Sequence, residues 1–167
     1  MAFEGLGKQR ASKSIKWISE EDIRRLLTWD SLLKEVRECL MAVTRGPQHP
    51  EGAVQPLRAK IPVYEDGVML VMPGFVKGQG ALATKILTHY PNNASKNIST
   101  HHAMILLMNA STGVPAAVLD GEVITEMRTA AASAVATLEL VQRKGKDLDA
   151  DKSPSPPGLI GVKNNGT

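Results

Sequence analysis

Three cationic residues occur in otherwise apolar stretches of the chain, where they could bind an anion. Arg58 alternates with an apolar face, Lys85 stands between Thr84 and Ile86, and Arg128 falls on the first turn of a predicted helix. Buried lysines and arginines are rare unless they are paired, so each would need a carboxylate from the chain or from a ligand. Arginine binds a carboxylate through two parallel hydrogen bonds, and lysine acts as a point charge. Composition alone favours the simpler alternative of three separate surface cations with buried aliphatic stems.

Two other patterns resemble functional motifs but lack the right context. The stretch "GQGALA", residues 78–83, has the G-x-G-x-x-A spacing of a dinucleotide-binding turn. A predicted strand follows it instead of a helix, and no acid lies about twenty positions on to bind a ribose hydroxyl, so a hairpin loop is favoured. His101 and His102 are adjacent and would point to opposite faces of a strand, so they cannot share one metal ion. We predict no metal site.

The composition limits the class of protein. The 167 residues fit one domain, and 43% hydrophobic residues are enough for a core. The net charge of +3 is spread along the chain and aromatic residues make up only 4%, which argues against a nucleic-acid-binding module. The single cysteine, Cys39, is predicted to be a small core residue in a reducing compartment. The sequence shows no signal peptide and no membrane-spanning run, so we expect a cytoplasmic protein without membrane contacts.

The first part of the chain predicts two helices followed by an edge strand. A serine before three acids predicts a helix start at Ser19, and we expect Asp30 to cap a second helix that ends at Gly46. The two helices are expected to form a hairpin. From Pro56 the apolar residues alternate with polar ones, which predicts a half-buried strand, and Pro62 favours a sheet edge.

The second part predicts an antiparallel meander and then a thin helix. Strand patterns recur in "GVMLVMPGFV", "ALATKILTHY", "HAMILLMN" and "VPAAVLDG". Thr125 is a possible N-cap for the helix in "EVITEMRTAAASAVATLEL", whose small side chains predict the close approach of another group. These elements give an α+β fold. The predicted organisation is a flexible N-terminus (1–17), one domain (18–140) and a disordered tail (141–167) rich in charge, Pro and Gly.

Several pieces of the chain resemble one protein family in the same order. They are "VQPLRAKIPV", "VMPGF", "ALATKILTHY", "HAMILLMNASTGVPAAVLDGEVIT" and "RTAAASAVATLEL". From about residue 18 to residue 140, the chain resembles the ornithine cyclodeaminase and mu-crystallin family. The resemblance implies an α+β domain, with a twisted antiparallel sheet flanked by helices, that binds substrate and forms a homodimer. In that family a Rossmann domain for NADPH or NADH normally follows, and we expect it to be absent from this chain.

The resemblance also implies roles for individual residues. It implies that Arg58, Lys85 and Arg128 hold the carboxylate of the substrate and that Thr129 lies near the nucleotide. The implied reaction is hydride delivery from the nicotinamide to a cyclic ketimine beside its carboxylate. The catalytic acid of the family lies in the part that has no counterpart here, so no catalytic residue is assigned.

The loss of periodicity after Leu140 suggests how the chain relates to the family. We expect a truncated NAD(P)H-dependent ketimine reductase, produced by splicing, a retained intron or an incomplete gene model. Such a chain would keep the substrate-binding part and be inactive alone. The alternative is a non-catalytic protein that binds a thyroid-hormone-like ligand or pairs with a full-length homologue.

Overall fold

The computed structural model describes residues 14–64 and 66–150, and this part of the chain is an α+β fold, as predicted. It forms three α-helices: α1 (Glu20–Leu26), α2 (Trp29–Arg45) and α3 (Glu122–Ala150). Its seven strands are β1 (Lys16–Ile18), β2 (Ala53–Val54), β3 (Ala59–Val63), β4 (Gly67–Val76), β5 (Ala81–His89), β6 (His101–Asn109) and β7 (Pro115–Asp120).

All seven strands belong to one sheet in the order β1-β7-β6-β5-β4-β2, with β3 also pairing with β4. Strands β4 to β7 form the antiparallel meander that the sequence predicts. Glycines with positive φ make two of its tight connections possible, Gly80 between β4 and β5 and Gly113 between β6 and β7. The stretch "GQGALA" is therefore a hairpin connection, as expected.

The sheet is mixed, which corrects the prediction of a purely antiparallel sheet. Strand β1 runs parallel to β7, with Trp17 opposite Val118. Three residues carry too little periodicity to predict a strand, and the partner of this one lies far away in the sequence. Residues 16 and 17 belong to the sheet, so the predicted flexible N-terminus is wrong for them. Residues 1–13 lie outside the part of the chain that the structure describes.

The first two helices follow their local capping signals. Ser19 begins α1 in a capping box with Asp22, in which each side chain accepts a hydrogen bond from the backbone N–H of the other residue. Thr28, not Asp30, caps α2; Asp30 lies in the first turn, where its charge favours the positive end of the helix. Gly46 ends α2 with φ +79°, as predicted. Both helices pack against α3, and α1 also contacts β7.

Helix α3 begins earlier and ends later than predicted. The N–H of Glu122 donates to the carboxylate of Asp120 at 2.9 Å, so Thr125 lies within the first turn and is not the N-cap. Residues 141–150 continue the helix, which corrects the predicted disorder for them. Six of these ten residues favour helix despite the high charge: Gln142, Arg143, Lys144, Lys146, Leu148 and Ala150. Residues 151–167 lie outside the described residues.

Strand β3 lies at the margin of the sheet, as Pro62 predicts, but it is exposed. It pairs only with β4. Residues 59–62 are exposed, and Ile61 keeps 45% of its surface accessible. The expectation of a half-buried strand is therefore wrong for the described chain, because no other described element covers it.

The core lies where the helices pack on one another and on the sheet. Its buried apolar residues are Ile23, Leu32, Ala42, Ala53, Leu87, Ala117, Val123, Ala131 and Val135. Ala131 of α3 is completely buried, so a larger side chain there would displace its neighbours. Cys39 is half-buried in α2, so it is only partly a core residue. No helix among the described residues is long and apolar enough to cross a membrane.

Candidate carboxylate-binding site

Lys85 lies in the middle of β5, a central strand of the sheet. Residues directly opposite one another on paired strands point to the same face. Lys85 is opposite Met72 on β4 and Ile105 on β6, and Ile105 is opposite Leu119 on β7. These four side chains form one row across the sheet. The row belongs to the face under α3, because Lys85 contacts Thr125 of that helix.

Arg58 extends this row at the margin of the sheet. It directly precedes β3, in which Ala59 is opposite Val71. Continuing that register by one residue places Arg58 opposite Met72, which is itself opposite Lys85. Neighbouring strands lie about 4.8 Å apart, so the backbones of Arg58 and Lys85 are roughly 10 Å apart. Two long side chains at this separation can reach one small anion.

Arg128 approaches the same region from α3. It lies on the second turn of the helix, not on the first as expected, because α3 begins at Glu122. Arg128 follows Thr125 by three residues, so the two share a helix face. The ammonium of Lys85 donates a hydrogen bond to Thr125 Oγ1 at 2.6 Å. The structure therefore brings together the three cations that the sequence singles out.

The protonation of Lys85 reflects this clustering. Its pKa is lowered from 10.5 to about 8, chiefly by burial and then by the positive charges of Arg128 and Arg58. Both effects penalise the ammonium. A bound anion would oppose the lowering of the Lys85 pKa by the two arginines, because its negative charge would face all three positive charges at once.

None of the acids whose side chains the structure describes neutralises the three cations. The ion pairs observed there involve other basic residues: Arg24, Arg25, Arg37, Arg45 and His102. Within residues 14–64 and 66–144, whose side chains the structure describes, no carboxylate oxygen lies within 4.0 Å of a charged nitrogen of Arg58, Lys85 or Arg128. Arg58 and Arg128 are exposed and Lys85 is half-buried, so the charges face an accessible surface.

Two surface grooves lie elsewhere on the chain. One of about 270 Å³ separates α2 from α3 and is bordered by the ion pair of Arg37 and Glu139. Another of about 210 Å³ is bordered by Arg45 and Glu51. None of the three clustered cations lines either groove. We therefore locate the candidate site by its charges and contacts and not by the depth of a cavity.

The histidines follow their predicted orientation. His101 stacks on His89, with ring centroids 4.1 Å apart, whereas His102 Nδ1 lies 3.0 Å from a carboxylate oxygen of Glu122. The adjacent histidines thus contact different partners. Among the described residues no group of three His, Cys, Asp or Glu side chains could hold a metal ion.

The residues expected to approach a nucleotide do not form a dinucleotide site by themselves. Thr129 is exposed on α3, and its hydroxyl donates to the carbonyl of Thr125 at 2.6 Å. The glycines of residues 78–83 connect two antiparallel strands, whereas a dinucleotide cradle needs a glycine-rich turn that leads from a strand into a helix. Residues 78–83 therefore do not form such a cradle.

Comparison with known proteins identifies the family. Residues 15–148 match the ornithine cyclodeaminase/mu-crystallin family model. The chain belongs to this family. Over 134 residues it is 37% identical to the ketimine reductase mu-crystallin of Mus musculus, covering 79% of this chain and 42% of the mouse protein. Over 99 residues it is 34% identical to the Delta(1)-pyrroline-2-carboxylate reductase of Bacillus cereus (strain ZK / E33L), covering 59% of this chain and 30% of that protein.

A solved structure shows the same fold in another relative. The Delta(1)-pyrroline-2-carboxylate reductase of Thermococcus litoralis, in complex with NADH and L-proline, superimposes with a TM-score of 0.68 and 35% identity. The match covers 74% of this chain and 37% of that enzyme. These members of the ornithine cyclodeaminase/mu-crystallin family are reductases of imines. The chain spans less than half the length of each of these three relatives.

Sequence reasoning missed the contact partner of Lys85. Thr125 was interpreted as a helix cap, but its hydroxyl accepts a hydrogen bond from Lys85 and donates one to the carbonyl of Gly121. The available signal was its place three residues before Arg128, which puts both on one helix face. That spacing could have indicated that Thr125 belongs to the site.

Proposed function

We propose that the described domain is the carboxylate-binding part of a reductase that acts on small cyclic imino carboxylates. In this proposal Arg58, Lys85 and Arg128 bind the carboxylate of the substrate. The two guanidinium groups supply paired hydrogen bonds, and the ammonium of Lys85 supplies a further charge from the floor of the sheet. The cyclic part of the substrate would then lie over the apolar neighbours of Lys85 in the row, Met72 and Ile105.

The observation that carries this proposal is the cationic cluster without acidic partners in the described chain. Three positive charges on one side of a sheet repel one another, and the lowered pKa of Lys85 expresses that repulsion together with burial. An arrangement of this kind is stabilised by an anionic ligand. The pyrroline-2-carboxylate reductases among the relatives act on a substrate of this class, which supports a cyclic imino carboxylate.

Hydride transfer is not assigned to any residue of this chain. Residues 78–83 form no dinucleotide cradle, so the proposed role is limited to binding and orienting the substrate. Thr129 remains our candidate for contact with a nucleotide bound elsewhere in the complete enzyme. We propose no catalytic residue here, and we expect no turnover from the isolated chain.

Ligand titration tests the proposal directly. L-proline has the carboxylate and the five-membered ring, whereas L-prolinamide has the ring without the negative charge. We expect L-proline to shift the NMR signals of the labelled chain around β5 and α3 in a saturable manner, and L-prolinamide to bind at least tenfold more weakly. An iodinated thyronine carries the same carboxylate, and competition with L-proline would identify the thyroid-hormone-like alternative.

Matched variants separate the cluster from general charge effects. Arg128→Gln and Lys85→Met remove one charge each from the site and should weaken L-proline binding about tenfold or more, since each removes a charge-assisted hydrogen bond. Lys34→Met removes the same charge at an exposed position on α2 and should leave binding unchanged. Equal affinity for proline and prolinamide, or equal losses in all three variants, would refute the proposal.

Subunit pairing is a second candidate function that a different observation favours. Large apolar side chains are exposed on β3 and next to it, with Leu57 98%, Ile61 45% and Tyr64 95% accessible. Clustered apolar exposure of this kind commonly marks an interface. We propose that this margin of the sheet contacts a second subunit, either another copy of this chain or a full-length homologue.

Sedimentation velocity tests this pairing. The chain should sediment as a dimer at micromolar concentration, and Ile61→Lys should convert it to a monomer because the charge would be buried at the interface. Lys34→Met serves again as the control, because Lys34 lies on α2 and not on β3. A monomeric wild-type chain that also fails to co-sediment with a full-length homologue would contradict the proposal.

A further inference from the structure

The hydrogen bond between Lys85 and Thr125 joins the centre of the sheet to the first turn of α3. Lys85 Nζ donates to Thr125 Oγ1 at 2.6 Å, and both residues are half-buried. At this depth water competes less for the ammonium than it does at the surface. The contact therefore restricts where a long and otherwise flexible side chain can place its charge.

Thr125 can act only as an acceptor toward Lys85. A hydroxyl group has one proton, and that of Thr125 is donated to the carbonyl of Gly121 one turn back. The lone pairs of Oγ1 are then left for the ammonium. Because an ammonium has three donors, the bond to Thr125 leaves two for a ligand.

The hydrogen bond of the Thr125 hydroxyl to its own helix is repeated at other positions of α3, but its hydrogen bond with Lys85 is not. Thr129, Ser133 and Thr137 follow at intervals of four residues, and each donates its hydroxyl to the carbonyl four residues earlier. Of these four hydroxyls on α3, only that of Thr125 also accepts from a lysine. Thr137 is therefore a matched control for changes at Thr125.

The start of α3 is fixed against the sheet beside Lys85. The N–H of Gly121 donates to the carbonyl of Ala103 at 2.9 Å, and a Cβ at Gly121 would lie only 2.9 Å from the backbone carbon and the Cβ of Ala103. Ala103 is opposite Leu87, two residues beyond Lys85 on the same face of β5. This close approach holds the Thr125 hydroxyl at a constant position relative to the lysine.

We infer that Thr125 is a positioning residue, which holds one donor of Lys85 so that the other two address the carboxylate of the ligand. The inference rests on the proposed function for the role of Lys85 in binding. It adds a residue whose effect is exerted through the lysine and not through contact with the ligand. The hydroxyl is needed, and the methyl group of threonine is not.

The test measures the lysine and the ligand separately. Thr125→Val removes the hydroxyl at nearly constant shape, Thr125→Ser keeps it, and Thr137→Val makes the same change at the control position. In chain labelled with [13Cε]lysine, the Lys85 signal is assigned by its loss in Lys85→Arg, and its pKa is then read from a pH titration. L-proline affinity is measured by NMR titration on the same samples.

We expect Thr125→Val to lower the pKa of Lys85 further, because it removes an acceptor that favours the ammonium. L-proline affinity should fall about tenfold in this variant. Thr125→Ser should restore both quantities, and Thr137→Val should change neither. Thr125→Ala provides a second hydroxyl-free variant if the valine variant does not fold.

The outcomes distinguish this inference from the proposed function. An unchanged Lys85 pKa in the folded hydroxyl-free variants overturns the role of Thr125, whatever happens to L-proline. Absence of L-proline binding in the wild-type chain, with a shifted pKa in Thr125→Val, contradicts the proposed function but confirms that Thr125 holds the lysine. A loss of affinity that Thr125→Ser does not restore overturns the positioning role, since the hydroxyl would then be irrelevant.

Discussion

The lowered pKa of Lys85 predicts that carboxylate binding weakens when the pH rises through about 8. The ammonium that binds the ligand is the form that the folded protein disfavours, because burial and two arginines act against it. With a pKa of about 8, roughly nine-tenths of Lys85 is charged at pH 7 and roughly one-tenth at pH 9. If only the charged form binds, the dissociation constant of L-proline should rise about tenfold between these two values.

The assay is an NMR titration of the chain with L-proline at several pH values between 6 and 9.5. L-proline itself stays a zwitterion over nearly all of this range, so the change in affinity reports on the protein. Lys85→Arg is the control, since an arginine stays charged and its profile should be flat. A wild-type profile that is flat to pH 9, or a decrease that begins only near the ordinary lysine value of 10.5, would refute the reasoning.

Folding stability should respond to pH in the opposite direction, and three other features give further predictions. Between pH 8 and 10.5 the unfolded state binds the Lys85 proton more tightly than the folded state does. The stability of the wild-type chain should therefore rise across this window relative to that of Lys85→Met. Melting temperatures of the two proteins that change in parallel with pH would contradict this. Gly121→Ala should destabilise the chain by about 1–3 kcal/mol in urea unfolding, whereas Gly78→Ala, whose Cβ would meet nothing closer than 3.6 Å, should not. Ser19→Ala should lose about 1 kcal/mol with the capping box, and an unchanged urea midpoint would argue against it. Burial, and then Glu35 and Glu38, raise the pKa of Cys39, so iodoacetamide should react more slowly with folded than with urea-unfolded chain at pH 8; equal rates would show the thiol to be accessible.

The meander was predictable from the sequence because its signals are local. Each of the four strands has its own apolar run, and glycines mark two of the three turns between them, so these signals need no long-range information. Strand β1 was not predictable in this way. Its stability comes from parallel pairing with β7 and not from its own three residues. The high charge of residues 141–150 predicts disorder, but six of the ten residues favour helix, and the structure continues α3 through them.

The sequence predicts which three cations belong to the candidate site but not how they are arranged. The sequence singled out the three cations by their apolar surroundings and by family resemblance. Their convergence depends on register: one residue of slip between β3 and β4 would move Arg58 to the opposite face of the sheet. The contact between Lys85 and Thr125 depends on where α3 begins. The sequence places the start of the helix near Thr125, whereas the structure places it at Glu122. Thr125 became interpretable only once the helix was known to start at Glu122.

The small residues of α3 set the geometry of the candidate site by letting the helix approach its neighbours. Helix α3 packs against α2, and Ala131 of α3 is completely buried, so a larger side chain at this position would displace its neighbours. The same holds for Gly121 at the start of α3, where a Cβ would meet Ala103 of β6. The contact of Gly121 with Ala103 fixes where α3 begins against the sheet, and that position sets the distance between Thr125 and Lys85. The small side chains of α3 predict that another group comes close to the helix. In the structure α2 and the sheet come close to it, and this packing determines where the charge of Lys85 lies.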